Sequence, residues 1–207
     1  MTYSLTRRAA LIGGACAAML ALTSVPSQAA AKIQRLVSPG GIEAWFVQDA
    51  TVPLIAMEYS FGGGASQDPP GKPGVGNLVA DLLDEGSGDL DSKTYHERLE
   101  RRAIELSFAS NRDQFRGSLR MLKDNKDEAY DLLRMALTSP RFEPKDVERI
   151  RAQVISNLRR ESTNPSSLSG RKFLELAFGD HPYGRTATGT LESVPTIEIS
   201  EDRKSVV

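Results

Sequence analysis

Cysteine and histidine are scarce in this chain. Its 207 residues include one cysteine, Cys16, and two histidines, His96 and His181. A single cysteine cannot close an intrachain disulfide, and so few imidazoles leave little for a histidine-rich metal site. Neither sign of charge dominates, because 26 Lys and Arg residues face 27 Asp and Glu residues. With basic and acidic residues interspersed, the sequence argues against a nucleic-acid partner.

A long hydrophobic run is also missing. The apolar stretch from Ala9 to Leu22 is shorter than the ~18 to 20 residues that a membrane-spanning helix needs. Arg7 and Arg8 precede it and small residues follow it, which is typical of an export signal, by the general or the twin-arginine route. We therefore predict that residues 1–31 are a signal peptide, that no stable membrane span remains after cleavage, and that the protein resides in the bacterial periplasm.

The remaining sequence predicts an α+β domain over residues 32–200. Alternating apolar residues predict strands, and apolar residues at helical spacing predict helices. The predicted strands are 42–47, 53–61, 105–110 and 114–122, and the first two are expected to form an antiparallel pair. The predicted helices are 74–85, 92–102, 126–138, 143–161 and 168–178. We expect a mainly antiparallel sheet with the helices packed on one side.

The most specific pattern begins at Gly63. Residues 63–74 read Gly-Gly-Ala-Ser-Gln-Asp-Pro-Pro-Gly-Lys-Pro-Gly, and a helix follows. This segment resembles the insulinase, or pitrilysin-type, zinc peptidases, in which a similar loop precedes an inverted His-x-x-Glu-His helix. The resemblance extends over about residues 33–199 and includes His-Pro-Tyr-Gly at 181–184. It implies a domain like those of the mitochondrial processing peptidase.

The resemblance places every catalytic side chain of the family on a different residue here. The two zinc-binding histidines correspond to Asn77 and Asp81, the catalytic glutamate to Ala80, and the third zinc ligand to Asn157. A catalytic zinc needs three protein ligands and a bound water, and amides are poor zinc ligands. Alanine cannot act as a base. We therefore predict no catalytic residue, no metal site and no cofactor in this chain, with zinc expected in a partner subunit.

The family contains two-chain peptidases in which one subunit carries zinc and the other has lost its motif. This implies a non-catalytic subunit that helps to enclose and bind a peptide substrate, in a heterodimer with a zinc-bearing paralogous subunit. An exposed sheet edge within residues 104–122 is expected to align the peptide, and the loop 62–76 to line the chamber. The candidate substrate-binding residues are Gly63, Gly64, Ala65, Ser107, Phe108 and Ala109.

Two other functions fit the same residues. The full-length protein could be an active zinc metalloendopeptidase that uses displaced ligands, or it could bind peptides or act as a scaffold without an enzyme partner. Residues 201–207 do not resemble the family's continuation, so we expect them to be a non-native tail and the native protein to contain a further domain of this type. Such subunits can carry an Arg and Tyr pair in that later part.

The remaining polar residues have simpler explanations. His96 is expected to be an exposed helix residue, and His181 to pack within its loop rather than bind a ligand. The carboxylates of Asp81, Asp84 and Glu85 could hold a hard cation, but calcium sites gather six or more oxygens. A solvated helix end is the better interpretation of this acidic cluster.

Overall fold

The computed structural model describes residues 32–199. The backbone contacts divide the chain into two units, residues 1–52 and 53–207, and each is described by itself. The predicted signal peptide, with Cys16, and the predicted tail at 201–207 lie outside the described residues. Among the described residues, no helix has the length and apolar character to cross a bilayer.

The first unit contains an antiparallel hairpin of β1 (Ile33–Val37) and β2 (Glu43–Val47). A tight turn joins them, with Gly41 in the left-handed region at φ 82°. All ten strand residues are exposed. A five-residue turn, residues 38–42, closes this hairpin with the preceding strand. The predicted pairing of 42–47 with 53–61 would join the two units and stays a prediction.

The second unit contains the main sheet. The strands of this unit are β3 (Leu54–Gly62), β4 (Gly86–Ser87), β5 (Leu90–Asp91), β6 (Glu105–Ser110) and β7 (Gln114–Leu122). The order β3–β7–β6 is antiparallel throughout, with β7 in the centre, and β4 pairs separately with β5. Along β7, Phe115, Leu119 and Met121 are buried, whereas Arg116 and Arg120 are exposed. One face of the sheet is thus packed and the other is solvated.

Five α-helices complete the described part of this unit. They are α1 (Val75–Ala80), α2 (Ser92–Arg101), α3 (Lys126–Thr138), α4 (Pro144–Glu161) and α5 (Pro165–Phe178). The middle three agree with the sequence prediction to within one residue. Helix α5 begins three residues earlier than predicted, because the Asn164 side chain caps it by accepting bonds from the N–H groups of Ser166 and Ser167. The predicted α+β class is confirmed.

Helix α1 is shorter than the predicted helix 74–85. Regular α-helix ends at Ala80, and tighter turns follow, in which the Leu82 N–H donates to the Val79 carbonyl at 3.1 Å. The chain then enters β4 through Gly86, which has a φ of 102°. A residue with that φ cannot continue a helix, so the chain must tighten before it.

Two hydrophobic clusters hold these elements together. One joins α1 to α4 and includes Val75, Leu78, Val79, Ala80, Phe115, Val147, Ile150, Val154 and Leu158. The other joins α2 and α3 to the sheet and includes Tyr95, Leu99, Ile104, Leu119, Met121, Ala129, Leu132, Leu133 and Ala136. The Tyr95 hydroxyl, which is inside the second cluster, donates to the Leu132 carbonyl at 2.9 Å. Helix α1, which contains Asn77 and Ala80, is therefore held in place by α4 and the sheet.

Candidate functional site

Asp68 fixes the start of the motif helix α1. Its Oδ2 accepts a hydrogen bond from the Gly74 N–H at 2.7 Å, and its Oδ1 accepts one from the Gly76 N–H at 2.9 Å. The residue is only 3% exposed. Burial raises the pKa of the Asp68 carboxyl, and the two backbone bonds oppose that rise. The Asp68 carboxylate, at the start of the Asp-Pro-Pro-Gly-Lys-Pro-Gly segment, thus caps α1 from outside the helix. It accepts from N–H groups that have no partner within the helix.

The loop before Asp68 lies against the turn between β6 and β7. Gly64 and Ala65 are buried here, and a Cβ atom on Gly64 would lie 2.3 Å from the Asn111 carbonyl oxygen. Three N–H groups donate to carbonyls of the turn: Gly63 to Asp113 at 2.7 Å, Ala65 to Asn111 at 2.8 Å, and Ser66 to Arg112 at 2.8 Å. The loop therefore uses its backbone donors internally. Substrate contact by Gly63, Gly64 and Ala65 stays a prediction.

One face of α1 and of the turn that follows it carries the positions that hold the zinc and the base in active relatives of the predicted type. Residues at i, i+3 and i+4 share a face, so Asn77, Ala80 and Asp81 lie together. The Asn77 Nδ2 atom donates to Asp81 Oδ2 at 3.1 Å. Ala80 is 2% exposed and belongs to the core cluster between α1 and α4. The two polar positions therefore bond each other, and the position of the base has become part of the core.

The Asp81 carboxyl is a weaker acid than most aspartates at a protein surface. Its side chain retains contact with solvent, but the protein beneath it reduces its hydration. This loss of hydration, together with the nearby Asp84 carboxylate, raises the pKa of Asp81 to about 6, against the opposing effect of the Asn77 bond. The ionised form that a zinc ligand needs is thus less favoured here than in a free aspartate.

Asn157 lies on α4, whose apolar face packs against α1. Its Oδ1 accepts a hydrogen bond from Arg160 on the same helix. The Glu85 carboxylate accepts from the Ser92 hydroxyl at 2.5 Å and pairs with Arg149, so it is engaged elsewhere than Asp81. Across residues 32–199, no three His, Cys, Asp or Glu side chains come together as a metal site would require.

Strand β6 forms one edge of the main sheet. The predicted edge, 104–122, is too broad, because β7 lies in the centre and has partners on both sides. The Asn111 N–H donates to the Gln114 carbonyl, which sets the alternation of hydrogen bonds along the ladder. By that alternation the main-chain groups of Leu106, Phe108 and Ser110 face the free edge.

The three candidate residues on β6 therefore differ in what they offer a ligand. Ser107 and Ala109 are exposed, but their main-chain groups bond to β7. Phe108 packs its side chain against both core clusters and turns its N–H and C=O toward the free edge. A ligand strand would thus pair with the backbone of Phe108 and contact the side chains of its two neighbours.

The His-Pro-Tyr-Gly loop supports the same region. The Tyr183 hydroxyl donates to the Asp113 carboxylate in the β6–β7 turn. His181 Nδ1 accepts from the Tyr183 N–H at 3.2 Å, and its ring lies against the ring of Phe178. His181 therefore packs within its loop, as predicted. Sequence reasoning identified the motifs at Asp68 and Tyr183 but missed what their side chains bind. Irregular chain separates Asp68 from Gly74 and Gly76, and 70 residues separate Tyr183 from Asp113.

The family model described as Insulinase (Peptidase family M16) matches residues 47–191. This range contains the Asp68 cap, helix α1 and β6. The chain belongs to this family. Because Asn77, Ala80, Asp81 and Asn157 replace the catalytic side chains, it is a degenerate M16 member, as the sequence predicted.

Two curated relatives extend the comparison. The "Non-peptidase homolog YmxG" of Helicobacter pylori (strain ATCC 700392 / 26695) is 25% identical over 174 residues, which is 84% of this chain and 40% of the relative. The "Uncharacterized zinc protease ML0855" of Mycobacterium leprae (strain TN) is 24% identical over 164 residues, which is 79% of this chain and 37% of the relative. The M16 relatives thus include one named as a non-peptidase and one named as a protease.

Two solved structures share the fold. A peptidase M16 inactive domain from Pseudomonas fluorescens superposes with a TM-score of 0.79 at 24% identity, over 84% of this chain and 43% of that one. A protease from Helicobacter pylori gives a TM-score of 0.74 at 18% identity, over 84% and 42% of the two chains. The chain spans about two fifths of the length of the relatives it matches.

Proposed function

We propose that this chain is part of a non-catalytic M16 subunit that binds an extended peptide and helps to enclose it for a zinc-bearing partner subunit in the bacterial periplasm. The observation that carries the proposal is the state of α1. Its cap and its buried side are complete, whereas its exposed face holds the Asn77–Asp81 pair in place of zinc ligands. The names "non-peptidase homolog" and "inactive domain" among its relatives support the same role.

The local chemistry argues against hydrolysis by this chain. Zinc-dependent hydrolysis needs a metal-bound water and a base to take its proton. Among the four motif positions only Asp81 offers a carboxylate, and one carboxylate beside two amides is a weak zinc site. Ala80 offers no base, because its side chain is a methyl group that is packed in the core.

The peptide-binding part of the proposal rests on β6. A strand at a sheet edge presents unpaired N–H and C=O groups, and an extended peptide can pair with them. Leu106, Phe108 and Ser110 supply these groups. In the described part of the chain, no other strand pairs with this edge.

The catalytic part is tested by metal analysis of the purified chain after incubation with zinc. We expect zinc far below one equivalent and no hydrolysis of an unstructured peptide above a buffer blank. Stoichiometric zinc together with hydrolysis that a chelator abolishes would overturn the proposal. That result would favour the active metalloendopeptidase, the alternative that the name of the Mycobacterium leprae relative supports.

The binding part is tested with two N-methylated versions of one extended peptide. Methyl groups on alternate residues block the N–H groups of one edge of the peptide, and shifting them by one residue blocks the other edge. We expect one version to bind like the unmodified peptide and the other to lose binding. Equal loss from both versions, or no loss from either, would contradict strand pairing at β6.

Partner and location have their own tests. Addition of the chain to a zinc-bearing M16 subunit from the same bacterium should raise peptide hydrolysis above that of either subunit alone. Peptide binding without such stimulation would favour the scaffold or peptide-binding alternative. Fractionation of cells that express the full chain should place it in the periplasmic extract, and retention in the cytoplasm would contradict the predicted export.

A further inference from the structure

A groove of about 480 Å³ borders the free edge of β6. Helix α2 provides one wall, and β6 with its neighbour β7 provides the other. Its lining includes Asp84, Leu99, Glu100, Glu105, Ser107 and Arg120. We propose that this groove binds a basic side chain, lysine or arginine, of a peptide paired with β6. The inference rests on the proposed function and adds a substrate preference to it.

Charge is the first argument. Asp84, Glu100 and Glu105 bring three carboxylates to the groove, and Arg120 is the one arginine or lysine in its lining. That arginine already pairs with Glu105, at 3.9 Å. Asp84 and Glu100 therefore leave the groove with an excess of negative charge, which attracts a cation and repels an acidic side chain.

The position of Asp84 is the second argument. This carboxyl is half-buried, and its loss of hydration is what raises its pKa; the charges that oppose the rise belong to His96 and Arg149. Arg149 is engaged with Glu85 and Asp146, and the His96 Nδ1–H donates to the Ser92 carbonyl, 2.9 Å away. A free carboxylate is stabilised by water, and Asp84 has lost part of that hydration. A bound ammonium or guanidinium group would stabilise the Asp84 carboxylate in its place.

The shape of the lining is the third argument. Leu99 and Ile104 contribute apolar surface to the same groove as the carboxylates. Lysine and arginine have an apolar stem and a charged end, so they can cover apolar surface while the charged end reaches an acid. Alternate side chains of a strand paired with β6 would point to the side of the sheet that faces α2. One basic residue in such a register would meet the groove.

The test compares three versions of one extended peptide that carry Lys, Gln or Glu at the central position. Affinities for the 207-residue chain are measured by fluorescence anisotropy at low salt. We expect the Lys peptide to bind about threefold tighter than the Gln peptide and about tenfold tighter than the Glu peptide. The difference between Lys and Gln should shrink at high salt, because the interaction is solvent-accessible.

Variants of the protein locate the effect. Glu100→Gln and Glu105→Gln should each weaken the Lys peptide about threefold and leave the Gln peptide unchanged. The Glu105 change should have the larger effect, because it also releases Arg120 from its ion pair. Glu97→Gln is the matched control, since Glu97 lies on the same helix but outside the groove and pairs with Lys93. It should change neither affinity.

The outcomes separate this inference from the proposed function. Equal binding of the three peptides, with sensitivity to one N-methyl pattern retained, would overturn the basic preference and leave strand pairing intact. A Lys preference that survives both groove variants would place the acidic site elsewhere and would overturn the inference as well. Failure of every peptide to bind would remove the proposed function and this inference together.

Discussion

The buried side of α1 has all its supporting contacts, whereas the exposed side lacks the side chains of a catalytic site. The buried side is held by the Asp68 cap, by the fit of Gly64 against the β6–β7 turn, and by the core that α1 shares with α4. The exposed side carries Asn77 and Asp81, which bond each other. The structure that would orient a catalytic helix is therefore complete, while the side chains that would perform catalysis are different. The supports of α1 also position β6, so they can serve binding without catalysis.

The largest expected effect comes from the loop that supports α1. Gly64→Ala places a Cβ atom 2.3 Å from a backbone oxygen, at a φ of 66° that L-residues adopt with strain. We expect the free energy of unfolding to fall by about 4 kcal/mol, or the folding transition to disappear. Urea denaturation followed by circular dichroism measures it.

The control for that change is Gly62→Ala, because nothing lies within 4 Å of a Cβ at Gly62. It should stay within about 1 kcal/mol of the unchanged protein. Equal stability of the two variants would show that the loop is not the rigid support described above.

Ala80→Glu tests whether the position of the family's catalytic base can accept a glutamate again. Ala80 is 2% exposed among apolar neighbours, so a carboxylate there would lose its hydration without a partner. We expect a loss of about 3 kcal/mol in the free energy of unfolding. Asp81→Glu, one residue later and exposed, should cost less than about 0.5 kcal/mol. A stable Ala80→Glu protein would mean that the position is open to a carboxylate, and it would contradict the place of Ala80 in the core.

Asp68→Asn weakens the cap without removing its bulk. An amide can accept only one of the two N–H bonds from Gly74 and Gly76, so one buried donor is left unsatisfied. We expect a loss of about 2 kcal/mol. Asp89→Asn, at an exposed position, is the control and should have no measurable effect. Thermal or urea denaturation measures the stability of both variants. An Asp68→Asn protein as stable as the unchanged one would show that the cap does not stabilise the fold.

The smallest expected effect is a pH dependence at Asp81. The folded pKa of about 6 lies above the ordinary 3.8, so the folded state holds the proton more tightly than the unfolded state between these values. The free energy of unfolding should therefore fall as the pH rises from about 4 to 6, and level off above that. Because the side chain is solvent-exposed, we expect less than about 1 kcal/mol.

Asp81→Asn should reduce this slope, because Asp68 and Asp84, whose pKa values burial also raises, contribute slopes of the same sign. Asp89→Asn should leave the slope unchanged. Melting temperatures measured every half unit of pH give the comparison. A steeper fall in stability with rising pH in Asp81→Asn than in the unchanged protein would show that ionised Asp81 is stabilised rather than penalised by its surroundings.

The sequence predicted local elements better than their pairing. Strands 105–110 and 114–122 and helix 126–138 have the predicted bounds, since their periodicity is strong and turn residues end them. The pairing of β1 with β2 was not predicted, because a strand's periodicity does not say which strand lies beside it. The motif register located Asn77, Ala80 and Asp81, but the role of Asp68 depends on contacts that span six and eight residues of irregular chain.

By itself, the sequence determined the family, the absence of the catalytic side chains at four positions, and the α+β class. The first two follow from the resemblance of residues 63–81 and 181–184 to the insulinase-type peptidases, and the third from local periodicity, which neighbouring residues fix. Only the tertiary structure decided that Ala80 belongs to the core, that β6 rather than β7 is the edge, and that three carboxylates border that edge. These depend on which distant segments pack together, and packing is a property of the whole chain that no short stretch of sequence specifies.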